Sequence, residues 1–210
     1  LDPASNVQFG EGGAGTFSDG KLNTQTNDPR NRDVLETFVK YGAPAEVAYL
    51  GKPHIGSKNL RTVVVNMRRA IEARGGQFRF SSMLTDVKIK DGRLAGIFVN
   101  GEEEACDELV LAVGHSARDT FEMLLARGFA IEQKEFAVGV RIEHLQAMIG
   151  KSQYGSGYAA LPAADYKLVS HASERAVFTF CMCPGGVVVP AASEEGGVVV
   201  NGMSEFERDG

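Results

Sequence analysis

A glycine-rich run between Phe9 and Leu22 constrains this chain more than any other feature of its sequence. Most of its positions have little or no side chain, so backbone N–H groups can approach a ligand closely. The spacing of Gly10, Gly12 and Gly15 also matches the dinucleotide-binding pattern Gly-x-Gly-x-x-Gly. That pattern binds a dinucleotide only where a buried strand precedes it and a helix follows it.

The flanks of the run exclude this literal interpretation. The preceding residues are polar and include Pro3, and Ser18-Asp19-Gly20 stands where the helix would begin. Neither a buried strand nor a helix is predicted at these positions. Two interpretations stay open: a glycine-rich surface loop, or a loop that lies against a cofactor held mainly by another segment.

The composition is that of a globular protein without an excess of basic charge. The 210 residues include 22 basic and 27 acidic side chains, which gives a net charge of −5. This balance provides no field to attract nucleic acid or anionic lipid. No apolar run approaches the roughly 20 residues of a membrane span. We therefore expect neither a nucleic-acid nor a membrane partner, and the sequence leaves the oligomeric state open.

The cysteine content and the chain ends bear on compartment and completeness. Three cysteines are too few for a disulfide framework, so a reducing, cytoplasmic location is expected. The chain opens at Leu1-Asp2-Pro3 without Met and closes shortly after a valine-rich strand pattern. We therefore expect it to be an internal piece of a longer protein.

Apolar periodicity predicts two helices in the first third of the chain. The first covers residues 31–41 and ends at Gly42-Ala43-Pro44, and a further helical turn is expected within 44–57. The second follows with Ser57 as the predicted N-cap and Gly75-Gly76 as the stop. Its apolar stripe consists of Leu60, Val63, Val64, Met67 and Ile71.

A strand series follows these helices. Strands are predicted at 77–81, 83–90 and 94–100, with hairpin turns at Asp91-Gly92 and Asn100-Gly101. The continuous apolar run 108–114 is typical of a buried parallel strand, and a helix is predicted at 118–127, with Ser116 as its N-cap. This order indicates part of a doubly wound α/β domain that contains a β-meander.

The last third has a different pattern. Residues 136–142 are strand-like, and 145–149 predict a helical turn or two. Strands are predicted at 174–182, 186–189 and 197–200, the last two forming a hairpin around the loop 190–195. The expected fold is α/β for the whole protein and α+β for this chain: a partial Rossmann-like domain plus a mostly antiparallel β domain.

Two short motifs have the residue types of a binding site. Gly114-His115-Ser116 follows the predicted parallel strand at the end where open α/β sheets bind ligands, although a plain strand-to-helix turn would have the same sequence. Cys181-x-Cys183-Pro184 ends a predicted strand, and its thiols are either buried apolar groups or redox or substrate-facing groups. Their spacing does not match a thioredoxin-type Cys-x-x-Cys motif, and no second cluster of ligands lies nearby for zinc, so no metal site is predicted.

Six separated motifs resemble the bacterial FAD-dependent dehydrogenase-like proteins, often described as NAD(FAD)-utilising dehydrogenases. This family is related to the glutathione-reductase-type flavoproteins. The motifs lie at 10–22, 52–56, 112–119, 139–144, 164–168 and 181–186.

The resemblance implies the middle portion of an FAD-dependent oxidoreductase, with a Rossmann-like FAD domain and an inserted substrate domain. NAD(P)H is left open as the electron donor, and the small-molecule substrate and the catalytic residues stay unknown. The implied cofactor contacts are Gly12, Gly13, Gly15, Thr16, Ser18, Val87, Gly114, His115 and Ser116. The implied substrate-domain residues are Cys181, Cys183 and Pro184.

The resemblance also implies a division of the chain. Residues 1–21 are the cofactor-facing loop, 56–130 are a remnant of the FAD domain, and 22–55 with 131–210 form part of the substrate domain. Without the main pyrophosphate site, this piece alone is expected to bind FAD weakly or not at all. Two rival hypotheses are a non-catalytic binding module on the same framework, and a nicotinamide site at 10–15.

Overall fold

The computed structural model describes residues 2, 10–17, 20–22, 24, 26–180 and 182–207. Its helices are α1 (Arg30–Lys40), α2 (Ser57–Glu72), α3 (Arg118–Ala126) and α4 (Gln146–Tyr154). Its strands are β1 (Leu84–Lys90), β2 (Arg93–Val99), β3 (Glu102–Glu104), β4 (Val169–Ser170), β5 (Val177–Phe178), β6 (Val187–Pro190) and β7 (Val200–Met203). Short 3₁₀ turns occupy Gly13–Phe17, Ala45–Ala48 and Gly155–Ala160.

These elements form two compact units, each described by itself. Unit 1 contains the described residues up to Gly76 and from Val140 onwards, and unit 2 is Gln77–Gly139. The core of unit 1 forms where α2 meets α1 and the 3₁₀ turn after it. Its buried residues are Ala43, Val47, Ile55, Leu60 and Val63. The apolar stripe predicted for α2 thus supplies two of the core residues.

The N-terminus of α2 is closed by residues from the far end of unit 1. The backbone N–H of Lys58 donates to Oε2 of Glu205 at 3.0 Å, so a distant carboxylate satisfies one of the free donors of the first turn. The N-cap position is Gly56, and no side chain of its own caps the helix. The prediction of Ser57 as the N-cap was wrong, because Ser57 is already helical and its hydroxyl faces Ser204 O at 3.5 Å.

Gly56 is required where the chain after β7 crosses this helix end. Its φ is +78°, and a Cβ atom there would lie 2.5 Å from the backbone nitrogen of Phe206 and 3.0 Å from its Cα. Any residue with a side chain would therefore combine an unfavourable backbone angle with a collision against main-chain atoms. The glycine lets Glu205 and Phe206 lie directly against α2.

The rest of unit 1 is built from short elements. β6 and β7 form an antiparallel hairpin in which Val187 pairs with Met203 and Pro190 with Val200. The predicted hairpin is therefore confirmed, although its second strand begins at Val200 instead of 197. β4 and β5 form a second antiparallel pair, shorter than the strand predicted at 174–182. Of the helices that the structure describes, none has both the length and the apolar character that a membrane crossing needs.

Unit 2 contains the predicted β-meander. β1, β2 and β3 pair in order and antiparallel. The connecting turns have positive φ at Asp91 and Gly92 and at Asn100 and Gly101, as tight hairpin turns of this sequence require. Arg127, which directly follows α3, forms an ion pair with Asp86 of β1. This contact links the helix to the edge of the meander.

Three predicted strands are wrong. Residues 77–81, 108–114 and 136–142 form no strand in the structure. Val110 is 89% exposed, so the run 108–114 is not buried as predicted, and Val138 in the third run is 83% exposed. A strand satisfies its backbone groups only through a partner, and the described residues pair no strand with these runs. The prediction of Ser116 as the N-cap of α3 is also wrong, because the cap position is Ala117 without a side-chain bond.

The expected fold class is confirmed as a mixed α+β structure with antiparallel sheets. The helices predicted at 31–41, 57–75 and 118–127 are present within a few residues of their predicted bounds. The helical turns predicted at 145–149 extend to Tyr154 as α4. The boundaries predicted for functional domains are not tested by this architecture and stay predictions.

We predict that Gly56→Ala destabilises unit 1 by more than about 1 kcal/mol, because the new Cβ strains the backbone and displaces Phe206. The chain has five tyrosines and no tryptophan, and all five tyrosines lie outside Gln77–Gly139. Urea denaturation followed by tyrosine fluorescence therefore reports on unit 1 alone. The matched control is Gly51→Ala, where an added Cβ meets nothing within 4 Å. Equal midpoints for both variants would contradict the role assigned to Gly56.

We predict a pH-dependent contact in unit 2. The hydrogen bond from Arg127 lowers the pKa of the Asp86 carboxyl below its ordinary value of 3.8. The ion pair therefore stabilises the folded state above the ordinary pKa of an aspartate, and this contribution is lost as the pH falls through the lowered pKa. Carbon NMR titration of Asp86 should give a depressed midpoint, which Arg127→Gln returns towards the ordinary value. Arg93→Gln, opposite Lys90 in the hairpin, should leave the midpoint unchanged.

Candidate functional site

The candidate site is a cluster at the N-terminal end of α2, which we call the α2-entry cluster. It consists of the 3₁₀ turn Gly13–Phe17, Lys21, His54 and the segments 182–184 and 201–206. All of these belong to unit 1. Segments from near the beginning and near the end of the chain therefore meet at this cluster.

The glycine-rich run packs along α2. Arg68 donates to the carboxylate of Glu11 at 2.7 Å, with both side chains about three-quarters buried, and this hydrogen bond raises the pKa of the guanidinium. The guanidinium of Arg61 lies 5.6 Å from the ring centre of Phe17. A Cβ on Gly12 would collide with the Thr16 side chain and lie 3.4 Å from Val64. The glycine at position 12 thus serves the close packing of the turn itself.

Thr16 presents an unsatisfied polar atom in this turn. The residue is only 7% exposed, and its hydroxyl has no hydrogen-bond partner among the described residues. Burying a hydroxyl without a partner costs about 1–3 kcal/mol, so such groups usually contact a ligand or water. Next to it, a Cβ on Gly13 would meet nothing within 4 Å, so the turn is open on that side.

Lys21 connects the glycine-rich run to the cysteine motif. It pairs with His54 in an isolated antiparallel bridge, which fixes its backbone. Its ammonium group donates to the carbonyl of Met182 and lies 3.8 Å from Sγ of Cys183. Pro184 directly follows and is fully buried. The structure therefore brings Cys183 and Pro184 to the same cluster as the glycine-rich run.

His54 is buried in the cluster and fixed by Phe206. Its ring stacks on the Phe206 ring with centroids 5.2 Å apart and 24° between the planes. Its Nε2 lies 3.1 Å from the carbonyl oxygen of Phe206, which can only accept, so Nε2 is the protonated nitrogen. On the neighbouring strand, Asn201 donates to the carbonyl of Phe17 at 3.3 Å. These contacts hold the helix entry, the turn and β7 together.

Two further pairs of motif residues meet elsewhere in unit 1. Nε2 of His144 lies 2.9 Å from the hydroxyl of Tyr166, and the two rings meet edge to face. The ammonium group of Lys52 lies 3.5 Å from the carboxylate of Asp165. Both pairs are exposed, so they bring separate motifs together without enclosing a site.

The other predicted contacts lie in unit 2. Val87 is buried in β1 and lines a surface hollow of about 400 Å³ together with Lys88, Ile89, Phe98 and Arg127. Gly114 has φ +76° with open space around it. The Ser116 hydroxyl lies 2.8 Å from Nδ1 of His115, on an exposed turn. The roles predicted for these residues stay predictions.

Two predicted site residues, Ser18 and Cys181, lie outside the described residues. Within the described ranges, histidine, cysteine, aspartate and glutamate side chains nowhere gather in a group of three that could hold a metal ion.

Sequence reasoning missed the residues that assemble the cluster. Lys21 and Ser204 come from two distant segments, and Arg141, whose Nη1 would lie 3.2 Å from a Cβ on Gly202 of β7, comes from a third. Lys21 had one usable signal, since it is the only cationic residue in the glycine-rich run. Ser204 directly follows β7, so its position depends on how that strand pairs with β6.

One comparison with known proteins covers the last part of the chain, and another covers the whole chain. Residues 135–210 match a family described as FAD-dependent protein, C-terminal domain-like. The whole chain is similar to an uncharacterized protein of Clostridium beijerinckii, at 53% identity over 213 residues. The chain covers 40% of that protein, so it spans less than half the length of this curated relative. The family match suggests an FAD-dependent family, and the relative is a longer protein that contains a region similar to this chain.

Proposed function

We propose that this chain is the middle portion of an FAD-dependent oxidoreductase. The observation that carries this proposal is the match of residues 135–210 to the FAD-dependent C-terminal-like family. The relative that is similar along the whole chain is more than twice as long, which leaves ample length for a main FAD-binding segment. In this proposal, the protein is related to the glutathione-reductase-type flavoproteins and acts as a dehydrogenase in the cytoplasm.

The residues of the glycine-rich turn fit a supporting contact to FAD. The buried, unsatisfied hydroxyl of Thr16 can donate to a phosphate or ribityl oxygen, and the open side of Gly13 permits close approach. The described residues do not include a strand, Gly-x-Gly-x-x-Gly turn and helix in sequence, so the turn is proposed as a second wall of the site. When bound, FAD supplies the electron-transfer chemistry, and the protein supplies binding and orientation.

We further propose that the apolar run 108–114 becomes a parallel strand when the rest of the longer protein is present. Its exposure supports this, because Val110 and its apolar neighbours are left uncovered in this chain. A parallel strand is usually covered on both faces, and its partners would come from outside the described residues. Gly114, His115 and Ser116 would then lie at the carboxyl end of that strand, near the flavin.

The electron donor and the substrate form the finer part of the proposal. We propose NAD(P)H as donor and a small molecule as substrate, with Val87 near the adenine. Anaerobic titration of the flavin with NADH and NADPH tests the donor, because a competent donor bleaches the absorption of the oxidised flavin. A screen of small oxidants then follows reoxidation of the reduced flavin.

The first prediction from this proposal is spectroscopic. The full-length parent protein, purified without added cofactor, should show the absorption bands of oxidised flavin at about one FAD per chain. The chain studied alone should bind FAD weakly or not at all, because most of the site lies elsewhere. A full-length protein that neither copurifies with FAD nor binds added FAD contradicts the proposal and supports a non-catalytic module.

A second prediction distinguishes a contact between the Thr16 hydroxyl and FAD from the contribution of the Thr16 side chain to packing. In the full-length protein, Thr16→Val keeps the volume but removes the hydroxyl, so FAD affinity should fall roughly fivefold to tenfold. The stability of the FAD-free protein should be unchanged or raised, because a buried unsatisfied group is removed. Flavin fluorescence titration and thermal unfolding measure the two effects. Thr62→Val, on the exposed face of α2, is the matched control, and equal affinities for both variants contradict the contact.

A further inference from the structure

The surroundings of Cys183 combine a thiol with two cationic side chains. Sγ of Cys183 lies 3.8 Å from the ammonium group of Lys21. A Cβ on Gly202 would lie 3.0 Å from the same sulfur and 3.2 Å from Nη1 of Arg141. Because both groups approach one glycine of β7, the sulfur and the guanidinium are near neighbours. Adjacent ammonium and guanidinium groups favour the thiolate form of a cysteine, which is the nucleophilic form.

A buried polar group on the same strand face points to a ligand. Ser204 is 3% exposed, and its hydroxyl has no hydrogen-bond partner among the residues described. Alternate residues of a strand share a face, so Ser204 extends from β7 on the side of Gly202. Burial agrees with this alternation, since Gly202 and Ser204 are buried while Asn201 and Met203 are half-buried. This alternation puts the unsatisfied hydroxyl on the face of β7 that Cys183 approaches at Gly202.

Cys106 is a second thiol in the same chain with which the surroundings of Cys183 can be compared. Both cysteines are half-buried reduced thiols, so reagents reach them to a comparable degree. The thiol of Cys106 donates to the carbonyl of Glu108 at 3.0 Å. Its neighbours in sequence are acidic, including Glu104, Asp107 and Glu108. Cationic groups therefore lie near Cys183, whereas acidic residues flank Cys106 in the sequence.

We propose that Cys183 is a nucleophilic thiolate whose site takes a small carboxylate that carries an electrophilic carbon. Arg141 and Lys21 attract the carboxylate, since guanidinium and ammonium groups both bind it with charge-assisted hydrogen bonds. Arg141 is exposed and can meet the incoming anion, and the Ser204 hydroxyl contributes a further donor. The reaction proposed for this thiol does not use the flavin proposed above.

The chemical step is a substitution at carbon. The thiolate of Cys183 donates an electron pair to the electrophilic carbon, and a carbon–sulfur bond forms. The bond from that carbon to the leaving group breaks, and the leaving group departs with the bonding pair. No oxidant, reductant or further proton is required.

The test uses iodoacetate and iodoacetamide, which share the leaving group and differ in charge. Two variants each retain one thiol of interest: Cys106→Ser with Cys181→Ser retains Cys183, and Cys181→Ser with Cys183→Ser retains Cys106. Alkylation rates are measured by mass spectrometry at neutral pH and low ionic strength. The ratio of the iodoacetate rate to the iodoacetamide rate is then compared between the two thiols.

The expected ratio at Cys183 exceeds that at Cys106 by about tenfold or more, because opposite local fields act on the anionic reagent. Adding Arg141→Met to the Cys183 variant should remove most of this preference, and salt should weaken it. Equal ratios at the two thiols, or a ratio that Arg141→Met leaves unchanged, would overturn the proposal.

Lys21 is tested by the reaction rate with neutral iodoacetamide. In the Cys183 variant, Lys21→Met should slow alkylation at neutral pH several-fold, while Lys21→Arg retains a cation and should restore most of the rate. Circular dichroism of each variant verifies that it is folded. If Lys21→Met and Lys21→Arg are folded and react at the same rate as the parent, the ammonium group does not activate the thiol.

Discussion

The unit built on α2 depends on one long-range contact, the carboxylate of Glu205 on the backbone N–H of Lys58. A helix begins with free N–H donors and a partial positive charge, and a carboxylate satisfies both. Here it comes from a strand extension at the far end of the chain. Phe206 then stacks on His54 and crosses Gly56 at a distance that only glycine allows. The helix entry, the glycine-rich turn and β7 are assembled around this contact.

The same contact explains why the sequence predicted helix α2 correctly but predicted the wrong residue as its N-cap. The apolar stripe of α2 is visible in the sequence, because residues three and four apart share a helix face. The cap is not visible, since its partner follows 147 residues later. Ser57 looked like an N-cap by its type, yet the distant carboxylate places Gly56 there and Ser57 inside the helix. The presence of the helix was therefore predictable from the sequence, whereas the group that caps its N-terminus was not.

The wrong strand predictions have a related physical cause. A helix satisfies its backbone hydrogen bonds within its own segment, whereas a strand needs a neighbour. The β1–β2–β3 meander was predictable because its turns, Asp91-Gly92 and Asn100-Gly101, bring the partners together locally. The run 108–114 has the composition of a buried strand but is left exposed, without a partner among the described residues. An apolar run therefore indicates that a segment can be buried, and only the topology decides what covers it.

In the candidate site, too, the sequence reveals which residue types are present but not which of them lie close together. The glycine-rich run and the cysteine motif were recognisable from their residues, and Lys21 connects them in the structure. The net charge of the whole chain does not predict the charge around Cys183. A total of −5 predicts that the protein repels anions. Lys21 and Arg141 make the local charge around the Cys183 sulfur positive. The two residues lie 120 positions apart in the sequence, so the sequence alone does not reveal this local charge. Electrostatic fields fall off within about 10 Å at ordinary salt, so the nearest charges decide what a thiol attracts.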